Sequence, residues 1–291
     1  MKNKFRGVGV ALVTPFTRTG EIDFEGLKRL VNDIIANGVD YVVALGTTSE
    51  SPTLSEEEKQ AVVSTVVETV NHRVPVVMGL GGPSTYDILN KMDETDFSGI
   101  DAVLSVTPYY NRPSQEGLYE HYKLISEHSP RPVILYNVCS RTSCNIEAET
   151  TLRLAAECPN IIGIKEASGR MGQIMQVAKH APEDFFVTSG DDSLTLPLIA
   201  AGVDGVISVV ANAFPKAMSN MVSSALNGDF STALKQHLDL LDLTQMCFKE
   251  GNPAGIKAYL ALQGKIDYNL RLPLTPVSND LMHQMERALK K

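Results

Sequence analysis

Eight short runs of apolar, mostly β-branched residues punctuate the chain, at 7–16, 41–46, 75–81, 102–108, 132–138, 161–167, 185–192 and 205–212. Each is apolar at nearly every position instead of alternating with polar residues. Runs of that kind predict strands buried on both faces, as in a parallel sheet. The stretches between them have a different period. Residues 24–37 carry Leu27, Leu30, Val31, Ile34 and Ile35 at spacings of three and four, one face of a helix. Residues 55–70 open with Ser55 and Glu58, the two halves of a capping box, and continue with Val62, Val63 and Val66. A helix over 114–128 has Ser114 as its N-cap. Residues 150–157, 172–180 and 193–201 read as helices after the fifth, sixth and seventh runs.

Strand and helix in alternation, eight times over, predict a TIM (β/α)8 barrel of the α/β class. The parallel rival, an open doubly wound sheet, usually carries G-x-G-x-x-G after its first strand. Nothing of that form follows 7–16, and Gly79-Leu80-Gly81-Gly82 lacks the third glycine and reads as a tight turn. The barrel is expected to be complete near Ala225. That divides the chain into a barrel over 1–225 and a C-terminal three-helix extension over 226–291, with helices at 230–248, 252–263 and 278–290. Pro253 falls at an early helical position of the second.

Composition narrows the function without naming it. The 291 residues are 43% hydrophobic and 21% charged, ordinary for a globular chain. A chain of that length buries about 75% of its unfolded surface and needs no disulfide or metal staple. Lys plus Arg number 26 against 34 Asp plus Glu, a net charge of −8. That argues against nucleic acid or an anionic membrane surface as partner. No apolar run approaches the roughly 18 residues of a membrane span. The basic start and following apolar run resemble an export signal, but they lead into TPFTRTGEID without a small-residue cleavage site. The first strand is the better reading, and the cytoplasm the expected compartment. The cysteines Cys139, Cys144, Cys158 and Cys247 form no C-x-x-C and are expected to be reduced, small buried hydrophobes.

In a barrel of this type the chemistry sits at the carboxyl ends of the strands. Found there are Thr47 and Thr48, Tyr109 and Tyr110, Tyr136, Arg141, Lys165, and Gly190 with Asp191 and Asp192. Lys165 is the informative one, a lone amine inside Ile-Ile-Gly-Ile-Lys-Glu-Ala. Burying it charged is expensive. A structural partner is one reading, although Glu166 next to it faces the other way. The sharper reading is an amine kept neutral by desolvation, able to attack a carbonyl and form a Schiff base. The six histidines all fall in helices or turns, so neither a histidine base nor a histidine-held metal is expected. Hydroxyls remain as proton carriers: Tyr136, Tyr110 and the paired threonines. Arg141 is suited to clamp a carboxylate with two parallel hydrogen bonds.

GTTSE (46–50), TPYYNRPSQEGLY (107–119), YNVCSRTS (136–143), IIGIKEASG (161–169), SGDD (189–192) and GVISVVAN (205–212), with LRLPLTPVS (270–278) near the end, resemble the dihydrodipicolinate synthase family over essentially the whole chain. N-acetylneuraminate lyases and other pyruvate-dependent class I aldolases share the barrel and the lysine. Ser140-Arg141-Thr142 separates them, because the sialic acid lyases lack that arginine there. The resemblance implies that Lys165 forms an imine with pyruvate, whose enamine attacks L-aspartate-4-semialdehyde, a step of the diaminopimelate and lysine pathway. It implies Tyr136, Thr47 and Tyr110 as the proton relay, Tyr110 reaching a neighbouring subunit's site. It implies Thr48 on the pyruvate carboxylate, Arg141 on the aldehyde's carboxylate, and Ile207 and Gly190 lining the keto-acid pocket. No metal or organic cofactor is implied, and the assembly implied is a homotetramer of two tight dimers. The alternatives are cleavage of a sugar acid such as N-acetylneuraminate and, more distantly, an inactive metabolite-binding barrel.

The sequence departs from the family pattern at Cys139, usually Pro, and at Ser143 and Ser49, usually Gly. These bear on loop placement and not on reaction type. Many members are inhibited by lysine beside Tyr109. The matching segments here hold Ser51, Pro52, Glu56 and Lys59 on one side and Gly82, Pro83 and Asp87 on the other. Sensitive relatives offer Asn at Pro83, His or Glu at Lys59 and Glu at Asp87. Pro83 has no side-chain polar group and Lys59 adds a like charge, so weak or absent lysine feedback is expected.

Overall fold

The computed structural model describes residues 2–290. Its elements follow the chain as β1 (Gly7–Ala11), α1 (Phe24–Ala36), β2 (Tyr41–Ala44), α2 (Glu56–Val70), β3 (Val76–Gly79), α3 (Thr85–Glu94), β4 (Ala102–Val106), α4 (Gln115–His128), β5 (Val133–Asn137), the single turn α5 (Cys139–Thr142), α6 (Ala148–Glu157), β6 (Ile161–Glu166), α7 (Met171–His180), β7 (Phe186–Ser189), α8 (Thr195–Ala200), β8 (Gly205–Ser208) and α9 (Pro215–Leu226). After them come α10 (Phe230–Lys249), α11 (Ala254–Leu262) and α12 (Asn279–Leu289). The strands pair in parallel in chain order and close, β1 against β8, into one barrel. The predicted (β/α)8 architecture with C-terminal helices is therefore the observed one.

Apolar runs without alternation arise because both faces of every strand are covered. Tyr41 and Val43 point into the barrel, while Val42 and Ala44 point to the helices. Phe5 closes the amino-terminal end of the interior, its ring 5.5 Å from those of Tyr41 and Phe186. The carboxyl-terminal end stays open. Each strand is shorter than its apolar run at that end. Beyond the strands the chain forms loops and single 3-10 turns at Thr47–Ser49, Asp192–Leu194 and Val210–Asn212.

Caps follow the expected chemistry. Ser55 and Glu58 form both halves of the capping box, and Ser114 accepts from the Gly117 N–H. Pro253 corrects its expected place: it is the N-cap, and α11 begins at Ala254. The helix α3 had no counterpart in the sequence reading.

One irregularity decides which way the informative lysine points. The register of β5 against β6 runs Val133 to Ile161 and then Ile134 to Gly163, so Ile162 is an extra residue. Strict alternation from the outward-facing Ile161 would turn Lys165 outward, and a one-residue bulge reverses that parity. Beyond it Tyr136, Lys165 and Thr188 lie side by side across β5, β6 and β7. Gly163 must be glycine here: a Cβ would stand 2.5 Å from the Phe186 ring.

Candidate active site

The mouth of the barrel opens into a cavity of about 1090 Å³ whose walls include Thr47, Tyr109, Tyr136, Arg141 and Asn252. Lys165, Thr48, Gly190 and Ile207 are not among its walls, and Lys165, Thr48 and Ile207 are buried. Lys165 is 5% exposed, with Nζ 4.3 Å from the centroid of the Tyr136 ring. Among the described residues no carboxylate lies within ion-pair reach of that amine. Its neighbour Glu166 faces outward and accepts from Asn137 Nδ2 at 2.7 Å, Gln173 Nε2 at 3.0 Å and Ser168 Oγ at 2.6 Å. Gly190 lies beneath the lysine stem, where a Cβ would come within 3.0 Å of Lys165 Cε. It would also stand 2.7 Å from Ala167 Cβ, so a side chain there crowds both the strand end and the lysine stem. Ile207 is fully buried in the same interior layer as Tyr136.

Thr48 is buried, and its Oγ1 accepts a hydrogen bond from Asn252 Nδ2 at 3.0 Å. A hydroxyl that accepts there keeps its own proton to donate, as a carboxylate ligand requires. Arg141 stands on α5 with Nη2 donating to the Asn252 carbonyl at 3.3 Å. Next to it, Thr142 takes a bond from Thr107 Oγ1 at 3.2 Å, tying α5 to the end of β4. Asn252 thus touches both residues expected to hold carboxylates, one through its side chain and one through its backbone. The sequence reading missed it; its only signal was an Asn-Pro pair opening a helix.

Ser143 adopts φ 54°, the left-handed conformation that glycine tolerates best. Ser49 has no such φ and instead donates its hydroxyl to the Gly46 carbonyl at 2.6 Å. Tyr110 is not brought to the others: it is 93% exposed, at φ 75°. Of the expected lysine-responsive residues, Ser51, Pro52, Glu56 and Lys59 share the cavity wall with Tyr109, whereas Gly82, Pro83 and Asp87 do not. Among the described residues no group of three or more His, Cys, Asp or Glu side chains is placed to hold a metal ion, and no helix is long and apolar enough to cross a membrane.

A second buried lysine serves as a control. Lys257 interrupts an apolar helix as Lys165 interrupts an apolar strand. Its Nζ lies 2.5 Å from Glu50 Oε1, with both side chains fully buried. Lys257 is neutralised by a carboxylate; Lys165 has none and stands beside a cavity.

Comparison with known proteins gives the family and the fold. The model of the dihydrodipicolinate synthetase family matches residues 4–291. A 4-hydroxy-tetrahydrodipicolinate synthase of Parabacteroides distasonis is 50% identical over 98% of this chain and 96% of its own. Among solved structures, a dihydrodipicolinate synthase from Thermotoga maritima superposes with a TM-score of 0.96 at 43% identity, covering 99% and 98% of the two chains. A monomeric dihydrodipicolinate synthase variant superposes with the same TM-score at 43% identity, covering 99% and 97%.

Proposed function

We infer that this chain, which belongs to the dihydrodipicolinate synthetase family, condenses pyruvate with L-aspartate-4-semialdehyde to 4-hydroxy-tetrahydrodipicolinate. The observation that carries the chemistry is Lys165, a buried amine without a carboxylate partner beside the Tyr136 ring. Its Nζ adds to the pyruvate keto carbon, and loss of water leaves an imine. Removal of a methyl proton gives the enamine, whose carbon attacks the aldehyde. The amino group of the second substrate then adds to the imine carbon and expels the Lys165 amine, closing the ring. The balance is one water released per turnover.

Tyr136 and Thr47 carry protons to and from the reacting centre, since both wall the cavity and hold hydroxyls. Thr48 donates to the pyruvate carboxylate, Ile207 and Gly190 shape the keto-acid pocket, and Arg141 pairs with the carboxylate of the semialdehyde. That last contact favours the synthase over cleavage of a sugar acid. Tyr110 completes the relay from a neighbouring copy, within a homotetramer of two tight dimers. The cytoplasm is the proposed compartment.

Borohydride reduction in the presence of pyruvate tests the reading. A reduced three-carbon adduct is expected on the peptide holding Lys165, and Lys165→Ala is expected to remove it with most turnover. An adduct on Lys257 would overturn the assignment.

A further inference from the structure

Two left-handed residues bracket the turn that carries Thr47 and Thr48. Leu45 has φ 55° and Glu50 has φ 57°. Neither is glycine, and a side chain in that region costs roughly 1–2 kcal/mol per residue. Such conformations persist only where the surroundings over-determine them. Here the surroundings act on Glu50. Its Oε1 faces Lys257 Nζ at 2.5 Å, and its Oε2 accepts from the Arg271 backbone N–H at 3.0 Å. Lys257 is fixed in turn, donating to the Asn269 carbonyl at 3.0 Å with its ammonium 4.2 Å over the Phe16 ring. Lys257 of α11 and Arg271 in the segment after it thereby hold a turn that lies some 200 residues earlier in the chain.

Stability does not account for charge at this place. Taking two ions out of water costs several kcal/mol each, and an apolar pair of similar volume is often as stable. Burial pulls the Lys257 ammonium down to about 8, against the pull of Glu50. What a carboxylate offers, and an apolar side chain does not, is one oxygen held by the directed Arg271 N–H and the other drawn to the Lys257 ammonium. We propose that the buried Glu50–Lys257 pair is a positioning device for the reaction, setting Thr47 and Thr48 against Tyr136 and Lys165. Glu50 borders the cavity but is 1% exposed, and the role assigned to the pair runs through the turn it holds. The inference rests on the reading of Thr47 and Thr48 given above.

The test is a double-mutant cycle of Glu50→Gln, Lys257→Met and the two together, read by Tm, kcat and the KM for pyruvate. Each single variant leaves one buried group without its partner and lowers Tm. The double variant removes both charges, so its Tm should return toward that of the wild type. Misplacing a reacting group by about 1 Å can cost about 100-fold. The double variant should therefore keep a loss of at least about tenfold in kcat/KM for pyruvate despite its recovered Tm. Recovery of kcat and KM together with Tm would overturn the inference and leave the pair a purely structural one. If the single variants do not fold, the neutral double variant still decides. Borohydride trapping of pyruvate on wild-type Lys165 separates the two levels: its absence would sink the reading of the site, whereas its presence with a fully active double variant sinks only the positioning role.

Discussion

Arg141 commits one guanidinium hydrogen bond to the Asn252 carbonyl. A guanidinium has five N–H donors, so a fork remains for a carboxylate. Because Arg141 is reached by the backbone of Asn252 and Thr48 by its amide, the two carboxylate sites are separable. Arg141→Ala should leave the Thr48 bond in place and spare pyruvate binding. A charge-assisted bidentate contact contributes about 2–4 kcal/mol, and an exposed guanidinium falls at the lower end. The expected loss in kcat/KM for aspartate semialdehyde is about 30-fold, with a much smaller change for pyruvate. Equal losses for both substrates, measured by steady-state kinetics, would mean that Arg141 serves only the loop. At this scale Lys165 was legible as a charge inside an apolar run, yet the same signal marks Lys257. Only the partner distinguishes them, and Glu50 lies too far along the sequence for spacing to reveal it.

Strands were legible because both their faces are apolar, and the carboxyl ends of β1 and β8 were not, because the residues that follow, Leu12-Val13 and Val209-Val210-Ala211, are as apolar as the strands. The helix α3 escaped notice since only Ile88 and Met92 of its ten residues are buried, too short a stripe to show a period. The bulge at Ile162 has no sequence signature of its own, although it decides the facing of Lys165. The joint between β7 and β8 has a consequence for pH. Asp192, in the turn after β7, accepts from Ser208 Oγ at 2.5 Å and from the Val209 N–H at 3.1 Å at the end of β8. Burial pushes its carboxyl from 3.8 up to about 6. The native state therefore holds this proton more tightly than the unfolded chain, and stability falls as pH rises from about 4 through 6. A shift of about two units corresponds to roughly 3 kcal/mol. Glu58 acts with the opposite sign: Arg271 holds it down at about 2, so its contribution is present above about 4.5 and lost toward acid. Urea unfolding of wild type and Asp192→Asn at pH 4.5 and pH 7 isolates the first effect, because Glu58 is common to both. The stability difference should move in favour of the variant by about 2 kcal/mol between those pH values; a difference that does not change with pH would refute the assignment.

At the level of the whole molecule, two features at the barrel mouth point beyond the single chain. The first is the cavity wall shared by Tyr109, Ser51 and Lys59, where the family resemblance places a lysine site. The Lys59 ammonium lies 2.9 Å from Glu56, which also meets Lys91 at 3.3 Å. Its repulsion of a cationic ligand is therefore weaker than its sequence position suggests, and the expectation comes to rest mainly on Pro83, which has no polar side chain. Activity at fixed pyruvate should stay nearly level through sub-millimolar lysine, and strong inhibition there would show the reading of Pro83 to be wrong. The second feature is Tyr110, 93% exposed and without a side-chain hydrogen bond among the described residues. A relay residue so placed serves its own site poorly and a two-fold partner's site well. The consequence can be tested by mixing. Tyr110→Phe keeps Lys165 but lacks the relay phenol; Lys165→Ala keeps the phenol but lacks the nucleophile. In a dimer of one chain of each kind, action in trans rebuilds one complete site from Lys165 of the first chain and Tyr110 of the second. Random reassembly at equal concentrations makes half the dimers mixed, each with one complete site of two, so about a quarter of wild-type activity should return. If Tyr110 acts within its own chain, neither kind of site is ever complete, and the mixture should stay as inactive as its components.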